Sequence, residues 1–568
     1  MFDIAMLLLA SIFTVIFVRT RPKINFIDIL ALALGLLIIF NYYFITTVNT
    51  EGKFISFIFL IIAYFSLRII FSAYKNTISF AIITVIFCGL IEAICGVTQL
   101  LGLSNSNHDL YCMTGTFFNP GPYGGYLAII MAIAIAYIIR YSNWFKRYST
   151  SIKNPIQWLK HPAMIGYILS YCAFIASFII FFAIMSRAAI LAFAVSLIVL
   201  ILMSRSIRNK IVKYLKSNKN KALVILSVLF VLICSVTYFA YNFKQDSADG
   251  RVFMWKIAST IISENPITGV GIGAYCGEYA KAQANYFITN PSSDFIHVAG
   301  APEFGFNEYL QIGVELGLLG MLLFMAIMIG SVYVLLRNKN CFAYGLLTLA
   351  VFAFFAYPLS LLPFQVLIVV FIASSCSFRS VTINSKWVSI KFIATLTLLC
   401  YIYIQYGNIY AKKIIATIPW EAGWVLYENK SFEKAIIEYD RIYLYMKDNP
   451  RYLFEYGRAY NKIGQFEKSN KILKEGALLS SDPMFYNIIG NNYKELEAFE
   501  SAEKNYLFAH HILPDRMYPI YLLMKLYERT GQQEKMNNMA NMIITFNTKV
   551  ESTATDEMRT EASKMLNK

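Results

Sequence analysis

Through most of the first 410 residues, apolar positions do not alternate with polar ones; they run together in blocks of about 16 to 28 residues with almost no charge. Wound as a helix, a block of that length crosses a hydrocarbon core about 30 Å thick. Lipid offers no hydrogen-bond partners, so the backbone must satisfy itself, and each unbroken apolar block is therefore read as a helix. The blocks fall at 4–18, 27–47, 54–71, 78–101, 123–139, 163–184, 188–203 and 222–241. After a long polar interruption they resume at 309–336, 341–359, 362–378 and 388–410. The pattern predicts an all-α, polytopic bundle of about twelve transmembrane helices over 1–410. The first block lacks a basic stretch before it, and Arg19, Arg21 and Lys23 follow it, so it reads as a retained helix rather than a cleaved signal.

Beyond residue 410 the pattern turns polar and takes on a longer period. Phe432, Phe466 and Phe499 recur at 33 to 34 residues, as do Gly457/Tyr460 and Gly490/Tyr493, then Tyr527. Pro450, Pro483 and Pro514 close successive units, and Ala477 and Ala509 sit where a second helix must approach a neighbour closely. The segment 411–568 resembles tetratricopeptide repeats, helix-turn-helix units that stack because none buries its apolar face alone. Such an α-solenoid offers a concave surface to a peptide or protein partner and implies no chemistry of its own.

Composition supports the membrane reading: the chain is 57% hydrophobic and 15% charged, with a mean hydropathy of +0.53. An ordinary soluble domain carries about 25% charge. The net charge of +16 is unevenly placed. Alternate connections hold 22 basic residues, seven of them between Arg205 and Lys221, whereas the opposite set holds Lys53, Arg187, Lys244, Arg251, Lys256 and Lys281. The excess marks the cytoplasmic side. The loops near 105–122, 186–187 and 242–308, and everything after Tyr410, are thus expected outside the cytoplasm. The positive charge is a topology signal and gives no reason to expect nucleic acid.

Most cysteines lie inside apolar blocks. Only Cys112 and Cys276 fall in outer loops, where a disulfide between them stays open. The chain has no CxxC pair, no His/Cys cluster at metal spacing and no Walker-type or dinucleotide glycine loop.

The chemistry is therefore sought on the outer face. The loop 242–308 opens with Asp249-Gly250-Arg251 and Trp255 and continues through Asn265-Pro266-Ile267-Thr268-Gly269-Val270-Gly271-Ile272-Gly273. Alone, that glycine pattern is more often a turn than a phosphate cradle. The loop closes with Asn307-Glu308-Tyr309-Leu310-Gln311, followed by Glu315-Leu316-Gly317-Leu318-Leu319-Gly320. In this order the elements resemble the O-antigen ligase family. These membrane glycosyltransferases include O-antigen ligases, related polymerases and bacterial protein O-oligosaccharyltransferases. The resemblance covers roughly 80–336. It also takes in Ser186-Arg187-Ala188-Ala189, similar to the family's outer Ser-Arg element, and Thr116-Phe117-Phe118-Asn119-Pro120 with Tyr123-Gly124-Gly125.

The resemblance implies a GT-C-like enzyme in the bacterial inner membrane, with its repeat domain in the periplasm. It would transfer a polyprenyl-diphosphate-linked glycan to an acceptor hydroxyl on lipid A core or a protein Ser/Thr, needing neither cofactor nor metal. A polysaccharide polymerase is the alternative. A membrane-anchored scaffold for surface-glycan assembly is the alternative of another class, though it leaves the arginine elements unexplained. A transporter would need more charged or broken helices near the midplane.

The residues fit such a transfer. A diphosphate leaving group concentrates negative charge, which guanidinium groups stabilise in two-point contacts, and Arg187 and Arg251 are the candidates. The family commonly has a histidine before the asparagine matched by Asn307, but Phe306 stands there in this chain. Glu308 is then the nearest base, if burial and the arginines tune it, with His297 the other candidate. Asn307, Trp255 and Asn119 are expected as substrate contacts, and Glu315 as a support one helical face on. Glu92, in an apolar block with Gln99 on nearly the same helical face, is either a functional carboxylate or a partner for another segment's polar groups.

Overall fold

A computed structural model describes residues 24–74, 76–151, 161–204, 245–376, 411–548 and 551–567, together with residues 208, 209, 213 and 401. The apolar blocks 4–18, 222–241 and nearly all of 388–410, with most of the basic loop 205–221, lie outside the described residues, so the expected twelve spans are not all in view. Every regular element described is helical. The first eleven helices are α1 (Phe26–Phe44), α2 (Glu51–Ala73), α3 (Asn76–Leu100), α4 (Pro120–Ser151), α5 (Pro162–Ile184), α6 (Arg187–Met203), α7 (Gln245–Glu264), α8 (Tyr275–Thr289), α9 (Glu308–Arg337), α10 (Phe342–Phe352) and α11 (Leu362–Cys376). Among the described residues, α1 to α5 and α9 are long and apolar enough to cross a membrane, while α6, α10 and α11 are shorter apolar helices.

Helix α4 forms the centre, packed against α5, α6 and α10, with every residue from Leu127 to Ala134 buried. Helices α3 and α5 turn Phe87, Ile91, Ile175, Phe178 and Phe182 outward. Apolar side chains facing out from an apolar core are what a hydrocarbon surround requires. On the other flank α1 packs on α9 and α2 on α11. There Asp28 and Arg68 form a buried ion pair, with three guanidinium contacts of 3.1 to 3.2 Å. The Tyr64 hydroxyl donates to the same carboxylate at 2.7 Å.

One expectation is corrected. The block 341–359 is not one span: α10 stops at Phe352. Tyr357 precedes Pro358, which disfavours helix at that position. The freed backbone is used instead, since the Ala353 carbonyl accepts from the Glu308 amide at 2.9 Å and the Leu359 amide donates to the Glu308 carboxylate at 2.6 Å. The expected outer loop 242–308 also carries helices of its own over its described residues, 245–308. It folds into α7, α8 and a 3-10 turn at Asp294–Val298 around its own small core of Phe253, Ile257, Ile261, Tyr279 and Phe287.

The C-terminal segment is a stack of antiparallel helices: α12 (Thr417–Glu428), α13 (Phe432–Met446), α14 (Pro450–Lys462), α15 (Phe466–Ala477), α16 (Met484–Glu495), α17 (Phe499–Ile512), α18 (Met517–Arg529), α19 (Gln533–Thr545) and α20 (Thr553–Leu566). The recurring phenylalanines each open the second helix of a unit. Gly457 is small for a packing reason, because a Cβ there would sit 2.5 Å from Leu473. The stack is not a free appendage. Gln283 on α8 donates to the Ile512 carbonyl at 2.6 Å, Ser481 to the Pro302 carbonyl at 2.8 Å, and Lys447 pairs with Glu51 at 2.8 Å.

Candidate functional site

The site is framed by a broken helix. Within α9, Gly317 has φ 71 and ψ −179, a conformation closed to side-chain-bearing residues, and the helical hydrogen bonds lapse around it. The freed groups are taken up by the glycine loop between α7 and α8: Val270 N–H donates to Val314 O at 2.9 Å, Gly271 N–H to Glu315 O at 3.1 Å, and Leu318 N–H to Pro266 O at 2.8 Å. Close approach explains the glycines on both strands of this lock. A Cβ on Gly269 would lie 2.5 Å from the Glu315 carbonyl carbon, and one on Gly317 would lie 2.2 Å from Ile267 O. The glycine run is therefore a backbone lock, with the Val270 and Gly271 amides spent on α9.

Buried Asn41 of α1 closes the lock. Its amide donates to Thr268 O at 2.7 Å and to Glu315 O at 3.1 Å, and its oxygen accepts from the Ile272 amide at 3.0 Å. Sequence reading missed this residue. The only hint was an asparagine within an apolar block.

Arg187 is the first residue of α6, placed by a hairpin in which Met185 takes a left-handed conformation (φ 50) and Ser186, in extended backbone, precedes the helix. Gly124 of α4 admits this hairpin, since a Cβ there would be 2.9 Å from the Ser186 side chain. Arg251 comes from the first turns of α7, where Gly250 lets the 3-10 turn approach, a Cβ there falling 3.2 Å from Val298 O. The two arginines, far apart in sequence, meet electrostatically. Burial and then the Arg187 charge hold the Arg251 guanidinium below its usual value, and Tyr357 pulls the other way. The guanidinium carbon of Arg251 lies 5.5 Å from the centroid of the Phe306 ring. Among the described residues Arg251 has no carboxylate partner. Phe306 is held at φ 46 with its ring edge-on to Tyr357 at 5.1 Å.

Glu308 is buried at the start of α9, with one oxygen accepting from Leu359 N–H. The arginines do not tune it, contrary to expectation. The charges that act on it are Lys53 and Glu315. Glu315 is itself buried and paired with Lys53 at 2.6 Å. Lys53 is a second residue that sequence reading passed over, counting it only as an outer-side charge. Asn307 is the helix cap of α9: its side-chain oxygen accepts from the Tyr309 and Leu310 amides at 3.1 Å, which fixes the start of the helix at Glu308.

The remaining candidates disperse. Glu92 commits one oxygen to the Thr116 amide at 2.7 Å and the other to the Thr116 hydroxyl at 3.0 Å, while Gln99 accepts from the Thr114 and Gly115 amides. Of the two readings open for Glu92, these contacts favour the partner for another segment's polar groups, a clamp on the loop before α4. Exposed Asn119 caps that helix, its side-chain oxygen accepting from the Gly121 amide at 2.9 Å. His297 is exposed on the 3-10 turn that packs on α7. Trp255, one turn beyond Arg251, has a buried indole N–H with no hydrogen-bond partner among the described residues and its ring 6.0 Å from that of Phe355. Cys112 and Cys276 are both free thiols. Burial pushes Cys276 up to about 12, which keeps it protonated.

Residues 172–325 match the family model described as O-Antigen ligase. That segment contains Arg187, Arg251, Trp255, His297, Asn307, Glu308 and Glu315 but neither Glu92 nor Asn119. No curated protein matches the chain. Among solved structures, a crystal structure of the MamA protein is similar at 19% identity over 27% of this chain and 88% of that one, with a TM-score of 0.22. The chain is a membrane protein in which residues 172–325 are similar to the O-antigen ligase family.

Proposed function

We propose, with the O-antigen ligase segment as premise, that the chain transfers a glycan from a polyprenyl diphosphate to an acceptor hydroxyl at the outer surface of the bacterial inner membrane. The observation that carries this reading is the convergence of Arg187 and Arg251. Two like charges bearing on each other at half-buried positions are unfavourable, and a diphosphate entering beside them turns that repulsion into attraction. The phosphate oxygens would meet planar donors suited to two-point contacts.

In this reading the acceptor oxygen attacks the anomeric carbon of the donor sugar. The bond from that carbon to the diphosphate oxygen breaks, and its electron pair leaves with the polyprenyl diphosphate. The acceptor proton passes to a base, for which Glu308 is the best placed carboxylate. Asn307 and the Leu359 amide hold it, and Lys53 balances the neighbouring Glu315. The developing charge on the leaving group falls to the arginines, so the reaction as read asks for no metal and no nucleotide sugar. The acceptor is lipid A core, a protein Ser/Thr or a growing glycan chain.

Mass spectrometry of surface lipids and exported proteins, with and without this chain, tests the reading. A glycan should disappear from one pool when the chain is absent. Unchanged glycans in both pools reject it.

A further inference from the structure

Where the repeat stack meets the membrane helices there is a cavity of about 570 Å³ whose lining does not include the arginine pair. Its volume is that of a ligand site, typically about 300 to 1,000 Å³. One wall comes from the membrane domain, with Thr50, Lys53, Tyr275 and Glu308, and the other from the repeat domain, with Lys413 and Trp420.

Its charges do not cancel. Six ionisable side chains other than cysteine and tyrosine line it: Lys53, Lys413, Glu303, Glu308, Glu315 and Asp448. Lys53 is taken by Glu315 at 2.6 Å and Lys413 by Asp448 at 2.5 Å. Both lysines are thereby used, which leaves the Glu303 carboxylate as the surplus. Glu303 is exposed, whereas Glu308 is buried and bound to a backbone amide.

A second observation points to a hydroxyl-bearing ligand. Thr50 and Tyr275 are 5% and 2% exposed, and the side-chain oxygen of each is buried with no hydrogen-bond partner among the described residues. Buried polar groups without partners are rare and call for a water or a ligand to complete them. Trp420 and Phe304 add aromatic faces, on which the apolar face of a sugar ring can lie.

We propose that this cavity binds the end of a short oligosaccharide that is neutral or carries an amino group, and that it rejects one bearing phosphate or carboxylate. The repeat domain then builds half of a sugar site rather than serving only as a docking surface for proteins. The assignment of this sugar as the acceptor rests on the transfer reading above. The binding site itself does not.

The test uses the full chain in lipid nanodiscs and three probes: a glucosamine trimer, its fully N-acetylated form and a galacturonic acid trimer. The amino trimer should bind tightest, the acetylated one roughly fivefold or more weakly as a charge-assisted contact is lost, and the acidic one not measurably. Glu303→Gln, an isosteric change at an exposed position, should remove most of the preference for the amino trimer. Trp420→Ala should weaken both binding sugars while undecaprenyl diphosphate still binds.

The proposal is overturned if the acidic trimer binds as well as the amino one, if Glu303→Gln keeps the full preference, or if a serine/threonine peptide displaces the sugars at lower concentration. Sugar binding as expected, together with undecaprenyl diphosphate binding unchanged in Arg251→Ala, would support the cavity and refute the diphosphate reading instead.

Discussion

The membrane domain holds arginine in two contrasting settings. Arg68 is buried between α2 and α1 with Asp28 as a close partner, the Tyr64 hydroxyl on the same carboxylate, and its own guanidinium also donating to Ser72 at 2.5 Å. Arg251 is half-buried with an aromatic ring beside it, a second arginine's charge bearing on it and no carboxylate partner among the described residues. The first setting is complete within the protein. The second, on the reading proposed above, is completed by an anion. That difference, rather than the residue type, separates a helix staple from a candidate leaving-group site.

Alanine substitutions should split the two settings most widely. Arg251→Ala should lower glycan transfer about 100- to 1000-fold, the cost of losing a transition-state charge contact, with the protein still inserted and folded. Arg68→Ala should instead cost about 3 to 5 kcal/mol of stability by stranding Asp28 in the interior. Transfer assays and thermal unfolding in detergent measure both, and the comparison breaks if Arg251→Ala unfolds the protein or Arg68→Ala leaves it equally stable. Glu308→Gln keeps the Leu359 hydrogen bond but removes the base, and transfer should fall by about 10²-fold or more without loss of donor binding. Loss of donor binding in that variant would move Glu308 to the diphosphate.

A gentler contrast comes from changing both partners. Asp28→Leu with Arg68→Met should be near neutral in stability, because a buried ion pair replaced by apolar groups of similar size is often tolerated. Arg251→Lys should still impair transfer, since lysine keeps the charge and loses the planar fork. The smallest effect is expected at Phe306. Phe306→Leu removes a ring contact with Arg251 worth about 0.5 to 2 kcal/mol, so transfer should drop severalfold and not vanish. An unchanged rate in Phe306→Leu would mean that the ring does not position the guanidinium.

How far these settings could be read from sequence depended on the range of the interactions. The helix blocks were legible because their signal is local: the expected 163–184 and 188–203 became α5 and α6 almost residue for residue. The Arg187 hairpin between them followed. The Glu315-Leu316-Gly317 element was legible as a motif but not as a break in α9, because a glycine in an apolar run usually continues the helix. What breaks it is the loop arriving from 266–271. Asn41 was illegible for the same reason, its partners lying more than 220 residues away. Glu92 looked costly in an apolar block, and only the fold shows Thr116 coming back to satisfy it. Residue 359 was expected inside a span, and the structure turns the chain there to supply the amide that holds Glu308.

The claim that Arg187 and Arg251 together form a diphosphate site is tested most directly by titrating the purified chain in nanodiscs with undecaprenyl diphosphate and undecaprenyl monophosphate, read by native mass spectrometry. Wild-type protein should prefer the diphosphate by about tenfold or more, a difference of about 1.4 kcal/mol. Arg187→Ala and Arg251→Ala should each erase most of that preference while leaving binding of the shared prenyl tail. A preference that survived in the double variant would contradict the account.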